Sequence, residues 1–123
     1  MNVETQIEWC EEQRRQATST GSRYNEGKLK WSYVPFKALE PMVRVLMFGA
    51  EKYAPFNWCK GLKYTEICES LLRHTHAFLE GEDNDPESKL EHVGHIACNA
   101  LFISYMFLFR KDLDDRHKID INE

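Results

Sequence analysis

LLRHTHAFLEGEDNDPESKLEHVGHIACNALF, residues 71–102, holds two apolar runs of helical period separated by a short acidic turn, and its reading decides the fold. Leading into the first run, Ile67, Leu71, His74 and Phe78 recur at steps of four, three and four, which keeps them on one face of a helix from about Thr65 to Glu80. Gly81 to Ser88 (GEDNDPES) reads as a turn, and Pro86 or the Ser88–Glu91 capping-box pattern then starts a helix over about Lys89 to Arg110. That helix is apolar almost all round from Val93 onward, the pattern of a helix covered on most sides. So short a turn makes the pair antiparallel, which sets His74 opposite His95 and Ser70 opposite Asn99. His92, His95 and Asn99 form a second polar line that meets the first. Buried polar side chains left unpaired cost about 1–3 kcal/mol each, so three imidazoles and an amide require mutual hydrogen bonds or a ligand such as a metal or a phosphate.

Upstream of this pair, EPMVRVLMFGAEKY predicts a helix from about Glu40 to Tyr53, with Pro41 in its first turn and Val43, Leu46, Met47 and Ala50 at core-facing spacing. Ala54 to Gly61 (APFNWCKG) is a connection carrying Phe56 and Trp58, unusual bulk for a linker. Gly21 to Lys30 (GSRYNEGKLK) reads as a loop or short extended piece. Residues 1–20 form a polar N-terminal extension whose Val3, Ile7, Trp9 and Cys10 support a weakly packed helix or a frayed segment, and residues 111–123 form a charged C-terminal tail expected to end the last helix and fray. The expectation is therefore an all-α protein, a compact helical domain over 21–110 built on an antiparallel core helix pair.

With 123 residues, 42% of them apolar, the chain supports one core of ordinary size. A formal net charge of -4 leaves no basic surplus for duplex nucleic acid. No apolar run approaches the roughly 20 residues that cross a bilayer, and Met1 to Glu12 lacks the features of a signal peptide, so no membrane partner and a cytoplasmic location are expected, the host cytoplasm if phage-encoded. Cysteines at 10, 59, 68 and 98 form no CxxC pair and read as reduced, mostly buried thiols. A segment as apolar as Ala97 to Phe109 needs more cover than so small a domain supplies, which predicts a homodimer or homotetramer.

Glu80, Glu82, Asp83, Asp85 and Glu87 add hard oxygen ligands of the kind magnesium and manganese prefer, and imidazoles beside them tilt the choice toward manganese or another transition metal. Arg73, Lys52, Lys28 and Arg23 are candidate phosphate partners. Each feature also has a plainer reading. A histidine on an apolar face is usually a satisfied core residue, Asp85 before Pro86 suits a helix N-cap, and the acidic run suits a solvated turn. Trp31, Phe56 and Trp58 either stack on a base or fill core. Glu66 and Glu69, spaced ExxE at a helix start, interact favourably with the helix dipole.

From Gly21 to Phe107 the chain resembles the phage-associated dATP/dGTP diphosphohydrolase family, a MazG-like branch of the all-α nucleoside triphosphate pyrophosphohydrolases. The resemblance rests on GSRYNEGKLKW, FGAEKYAPFNWCKG, LLRHTHAFLEGEDNDPES and HVGHIACNALF, in that order. It implies a helical fold around a divalent metal, Mg or Mn, that converts a purine deoxynucleotide, dGTP or dATP, to its monophosphate and pyrophosphate. It further implies roles for Lys28, Lys52, Tyr53, Asn57, Trp58, Arg73, His74, Glu82, Asp85, Glu87, His92, His95 and Asn99. The metal set is then His74, Glu82, Asp85, His92 and His95. Catalysis falls to Glu51, His74, Glu82 and Asp85, and substrate binding to Lys28, Lys52, Asn57, Trp58, Arg73 and Asn99. The chain departs from the family pattern at Asn25, usually aspartate, at Cys59, usually basic, and at Lys89, commonly glycine, and it lacks plain ExxE and ExxD metal pairs. A non-hydrolytic protein that sequesters a nucleotide, for example a cyclic nucleotide defence signal, is the competing reading. A helical interaction protein with core histidines is a third.

Overall fold

The computed structural model describes residues 2–16 and 21–119, in two units, one up to Tyr33 and one from Val34. In the first, helix α1 (Val3–Gln16) is capped by the Asn2 side chain, whose Oδ1 accepts from the Thr5 amide at 2.8 Å. The side chains described along α1 are exposed, in keeping with its sparse apolar stripe. A tight turn follows, closed by the Lys28 amide on the Asn25 carbonyl at 3.2 Å with Gly27 at a positive φ, and leads to a 3-10 turn at Trp31–Tyr33.

The second unit is helical throughout, as the periodicity predicts: α2 (Glu40–Lys52), α3 (Tyr64–Leu79) and α4 (His92–Phe109), with short 3-10 turns at Phe36–Leu39, Asn57–Lys60 and Lys111–Leu113. Among the described residues there is no strand, and one antiparallel bridge joins Asn84 to Glu91. α3 and α4 run antiparallel along their full length, shown by the Tyr64 hydroxyl donating to the Met106 carbonyl (3.1 Å) at one end and His74 meeting His92 at the other. Tyr64, Ile67 and Met106 form the buried centre, with Trp58, Phe102 and Tyr105 packed against it. α2 and α3 each pack on α4 but share no comparable interface with one another. A groove is left between them.

Local signals explain the ends of the core pair. α3 stops at Gly81, whose positive φ lets its amide reach the Phe78 carbonyl while the Glu82 amide reaches that of Ala77, the hydrogen-bond pair that closes a helix with a left-handed glycine. α4 begins at His92 rather than near Lys89, and no capping box forms. Lys89 sits at a φ of 66°, which interrupts helical geometry, and Ser88 is engaged elsewhere. A left-handed backbone of this kind is one that glycine adopts without steric cost and a lysine rarely does.

Two further expectations are corrected. Val43 and Met47 are exposed, and α2 instead turns Pro41 and Val45 toward α4, because Gly94 admits the α2 backbone: a Cβ at 94 would lie 2.4 Å from the Pro41 carbonyl oxygen and 3.1 Å from Val45 Cγ2. The start of the charged tail is anchored, not frayed. Asp115 accepts from the Thr65 amide (3.0 Å) and hydroxyl (2.6 Å), satisfying the first turn of α3, where free amide groups attract a carboxylate.

The four cysteines are free, and of them Cys98 alone is buried, its thiol pushed up to about 11 by burial. Contrary to the expectation that no apolar run is long enough, α4 itself, 18 residues at a mean hydropathy of 1.4, is long and apolar enough to cross a bilayer by length and composition. Here it is the central helix, flanked by α2 and α3. Gly94→Ala is expected to lower stability by about 1–3 kcal/mol through overpacking against an immovable carbonyl, read from urea unfolding, whereas Ala97→Gly should cost about 1 kcal/mol.

Candidate functional site

The register of α3 against α4 brings together the polar lines that the sequence sets opposite one another. The imidazoles of His74 and His95 stack face to face, centroids 4.2 Å apart and planes within 2°. One turn away, Asn99 donates through Nδ2 to the Ser70 hydroxyl (3.2 Å) and to the His95 carbonyl (2.9 Å). At the turn end, His92 is 2% exposed and both of its ring nitrogens are engaged: Nδ1 with His74 Nδ1 at 2.8 Å, Nε2 with Glu82 Oε1 at 2.6 Å. A carboxylate accepts and cannot donate, so His92 carries its proton on Nε2 and presents the Nδ1 lone pair to His74.

The turn supplies the rest. The Asp85 amide donates to the Leu90 carbonyl (2.8 Å) and its Oδ2 accepts from the Ser88 amide (2.9 Å), so its carboxylate both ties the turn and faces the imidazoles, 3.9 Å from His95 Nε2. Ser88 Oγ lies 2.7 Å from His95 Nε2 and accepts from the Leu90 amide, which fixes the ring that stacks on His74. The sequence pattern offers Ser88 as a helix cap. Its role here comes from the left-handed Lys89, which turns the chain so that residue 88 faces residue 95.

His74, Asp85 and His92 each offer a ligand atom, and these atoms lie within 4.8 Å of one another. The donor set fits a divalent ion. Two imidazoles and a carboxylate suit manganese and related ions, and His92 with its far nitrogen on Glu82 has the outer carboxylate that orients a metal-binding histidine and holds its tautomer. His95, bonded to Ser88, lies beside this group rather than in it. A cavity of about 360 Å³ opens over the cluster, with Arg73, Glu87 and Phe48 among its walls.

Burial and neighbouring charges shift the titration of the cluster. Burial lowers the His74 pKa, with the charge of His95 adding to it against the opposing pull of Asp85. Burial likewise lowers that of His95, with Asp85 opposing. For Asp85, burial pushes the carboxyl up but is outweighed by the hydrogen bonds from the Ser88 amide and side chain and by the two histidines, leaving it below its ordinary value.

The remaining predicted residues fall in three places. Lys52 reaches Glu87 at 3.8 Å from the cavity's edge. Asn57 and Trp58 lie on the adjoining groove, Trp58 stacked on Phe102 at 4.7 Å and edge-on to Tyr105 at 4.9 Å. Glu51 is exposed on α2, outside the cluster, and Lys28 belongs to the unit before Val34. Glu66 and Glu69 are exposed and form no part of the cluster.

The site is thus a histidine–carboxylate centre on an antiparallel helix pair of an all-α protein, with Arg73 on the wall of the cavity above it. Residues 18–116 match the family described as "dATP/dGTP diphosphohydrolase, N-terminal", and the chain belongs to it. It is similar to the dATP/dGTP diphosphohydrolase of Salmonella phage PMBT28, 33% identical over 97 residues, which make up 79% of this chain and 33% of that protein. The chain thus spans about a third of that relative's length. No solved structure matches it.

The two stacked imidazoles carry a pH signature. Their folded pKa values lie below the ordinary 6.5, so the unfolded chain takes up protons first as the pH falls. The stability they contribute is complete above 6.5 and is lost as the pH drops through the lower folded values. In chelator, the urea midpoint should fall between pH 7.5 and about pH 5, and His74→Gln/His95→Gln should flatten that part of the profile.

Proposed function

We propose that the cluster of His74, Asp85 and His92 holds magnesium or manganese and that the chain carries the metal-binding part of a pyrophosphohydrolase, converting dGTP or dATP to its monophosphate and pyrophosphate. The observation that carries this reading is the His92 ring, buried, with one nitrogen on Glu82 and the other facing His74. Family membership supports the substrate class, since the phage relative is named for dATP and dGTP. A bound divalent ion would neutralise triphosphate oxygens and lower the pKa of an attacking water.

The chain's own groups supply the rest. Arg73, on the cavity wall, stabilises charge that grows on the phosphates, an effect strengthened where water is excluded. Glu82 holds the orientation and tautomer of His92. His95, kept neutral by burial and steered by Ser88, is placed to accept a proton, and Asp85 stays ionised beside it. Lys52 exchanges Glu87 for phosphate, an exchange made easy by the exposure of that ion pair. Lys28 and Glu51 stand as further substrate and carboxylate candidates from family pattern, and Asn99 supports His95 from beneath. Such a protein would act in the cytoplasm, the host's where it is phage-encoded.

Incubation with manganese and each deoxynucleoside triphosphate should release pyrophosphate from dGTP or dATP. Arg73→Ala should slow turnover about 100-fold, and His92→Ala should abolish manganese binding by calorimetry. Slow, metal-independent turnover of every nucleotide would overturn the proposal, and tight binding with the nucleotide recovered intact would establish sequestration in its place.

Self-association completes the reading. Phe107, Leu108 and Phe109, consecutive at the end of α4, are exposed, and so are Leu72 and Leu79 on α3; apolar surface left open in this way suits a contact between copies. Light scattering is expected to give a dimer or tetramer, and a monomer at all concentrations would contradict it.

A further inference from the structure

Beside the polar cavity lies a second, larger space of about 630 Å³ between α2, the connection after it and the floor made by α3 and α4. Phe48 and His95 line both. The two differ in chemistry. The first is walled by histidines, carboxylates and Arg73, whereas the second is walled mainly by aliphatic and aromatic side chains with a few polar groups, Asn57, Ser70 and Lys52 among them. Its volume is within the range of small-molecule sites, and a largely apolar wall with sparse polar groups is their usual composition.

Three independent features show that this groove is not a packing remnant. Val43 and Met47 face it although their spacing would suit a core. Phe56, at its rim, is 73% exposed and held at a φ of 61°, a left-handed conformation that a bulky residue rarely adopts and that concentrates at ligand sites. The Asn57 amide, next in the chain, has no side-chain hydrogen-bond partner among the described residues. Trp58 is already spent on Phe102 and Tyr105. Phe56 and Asn57 are the free aromatic face and the free amide.

We infer that the groove receives the purine nucleoside half of the ligand whose phosphates lie over the His74–Asp85–His92 cluster, with Phe56 against the base and Asn57 reading its edge. The inference rests on the proposed nucleotide reading of the cluster. The junction supports it: Lys52 lines the groove, Glu87 lines the cavity, and their 3.8 Å ion pair marks where base and phosphate halves would meet. An amide offers one donor and one acceptor group side by side, the pattern that pairs with an adenine edge. A ligand with an apolar heterocycle at one end and a polyanion at the other matches both spaces at once.

The test uses the full chain with manganese and three probes: manganese alone, pyrophosphate, and the monophosphates dGMP and dAMP, each measured by calorimetry. Ala50→Phe, which fills the groove, and the exposed-rim variant Phe56→Ala should each weaken monophosphate binding at least tenfold while changing manganese and pyrophosphate affinities less than twofold. Asn57→Ala should narrow the difference between dAMP and dGMP. The rim variants remove no buried group, so they remain informative if Ala50→Phe fails to fold. Wild-type monophosphate affinity in both Phe56→Ala and Asn57→Ala would overturn the inference even if hydrolysis is found. Weakened binding in a protein that never turns over would uphold it and overturn hydrolysis instead.

Discussion

A buried imidazole has two nitrogens to satisfy, and His92 meets that demand by reaching two different parts of the chain. One nitrogen requires His74 from α3, the other requires Glu82 from the turn, and the ring itself opens α4. His92 therefore ties the register of the core pair to the place of Glu82 in the turn. Sliding α4 by one turn would leave a polar ring in the interior without partners, at a cost comparable to much of what a small domain has to spare.

The turn between the core helices is shaped for the same end. Gly81 stops α3 so that Glu82 swings back toward His92, and Lys89 in a left-handed conformation sends Ser88 toward His95. Between them Asp85 ties the loop with its carboxylate and still faces the imidazoles. A residue that reads as a helix cap and one that reads as a ligand are here the same residue, because a turn this small presents its capping oxygens to the helices it joins.

Much of this was legible in the chain. Helical period and turn length together place His74 against His95 and Ser70 against Asn99, and both contacts are present. Three things were not. The contact face of α2 depends on how closely a backbone can approach Gly94, which periodicity within α2 does not encode. The bond from Asp115 to Thr65 spans 50 residues and has no local signature. The division of labour among the histidines, with His95 on Ser88 and His92 on Glu82, depends on ring orientation, and spacing along a helix gives a face but not a nitrogen.

The arrangement of the outer helices has a consequence for the space between them. α2 and α3 rest on α4 but hardly on each other, and α2 is seated where Pro41 meets a residue without a side chain. The width of the gap between them therefore depends on how closely α2 approaches α4, and that approach is closest at Gly94. Changes at Gly94 would shift the α2 side of the larger space, and with it Phe48 over the polar cavity, while the contacts between α3 and α4 that hold the histidines stay in place. The width of the larger space is thus set on α2, and the arrangement of the histidines on α3, α4 and the turn between them.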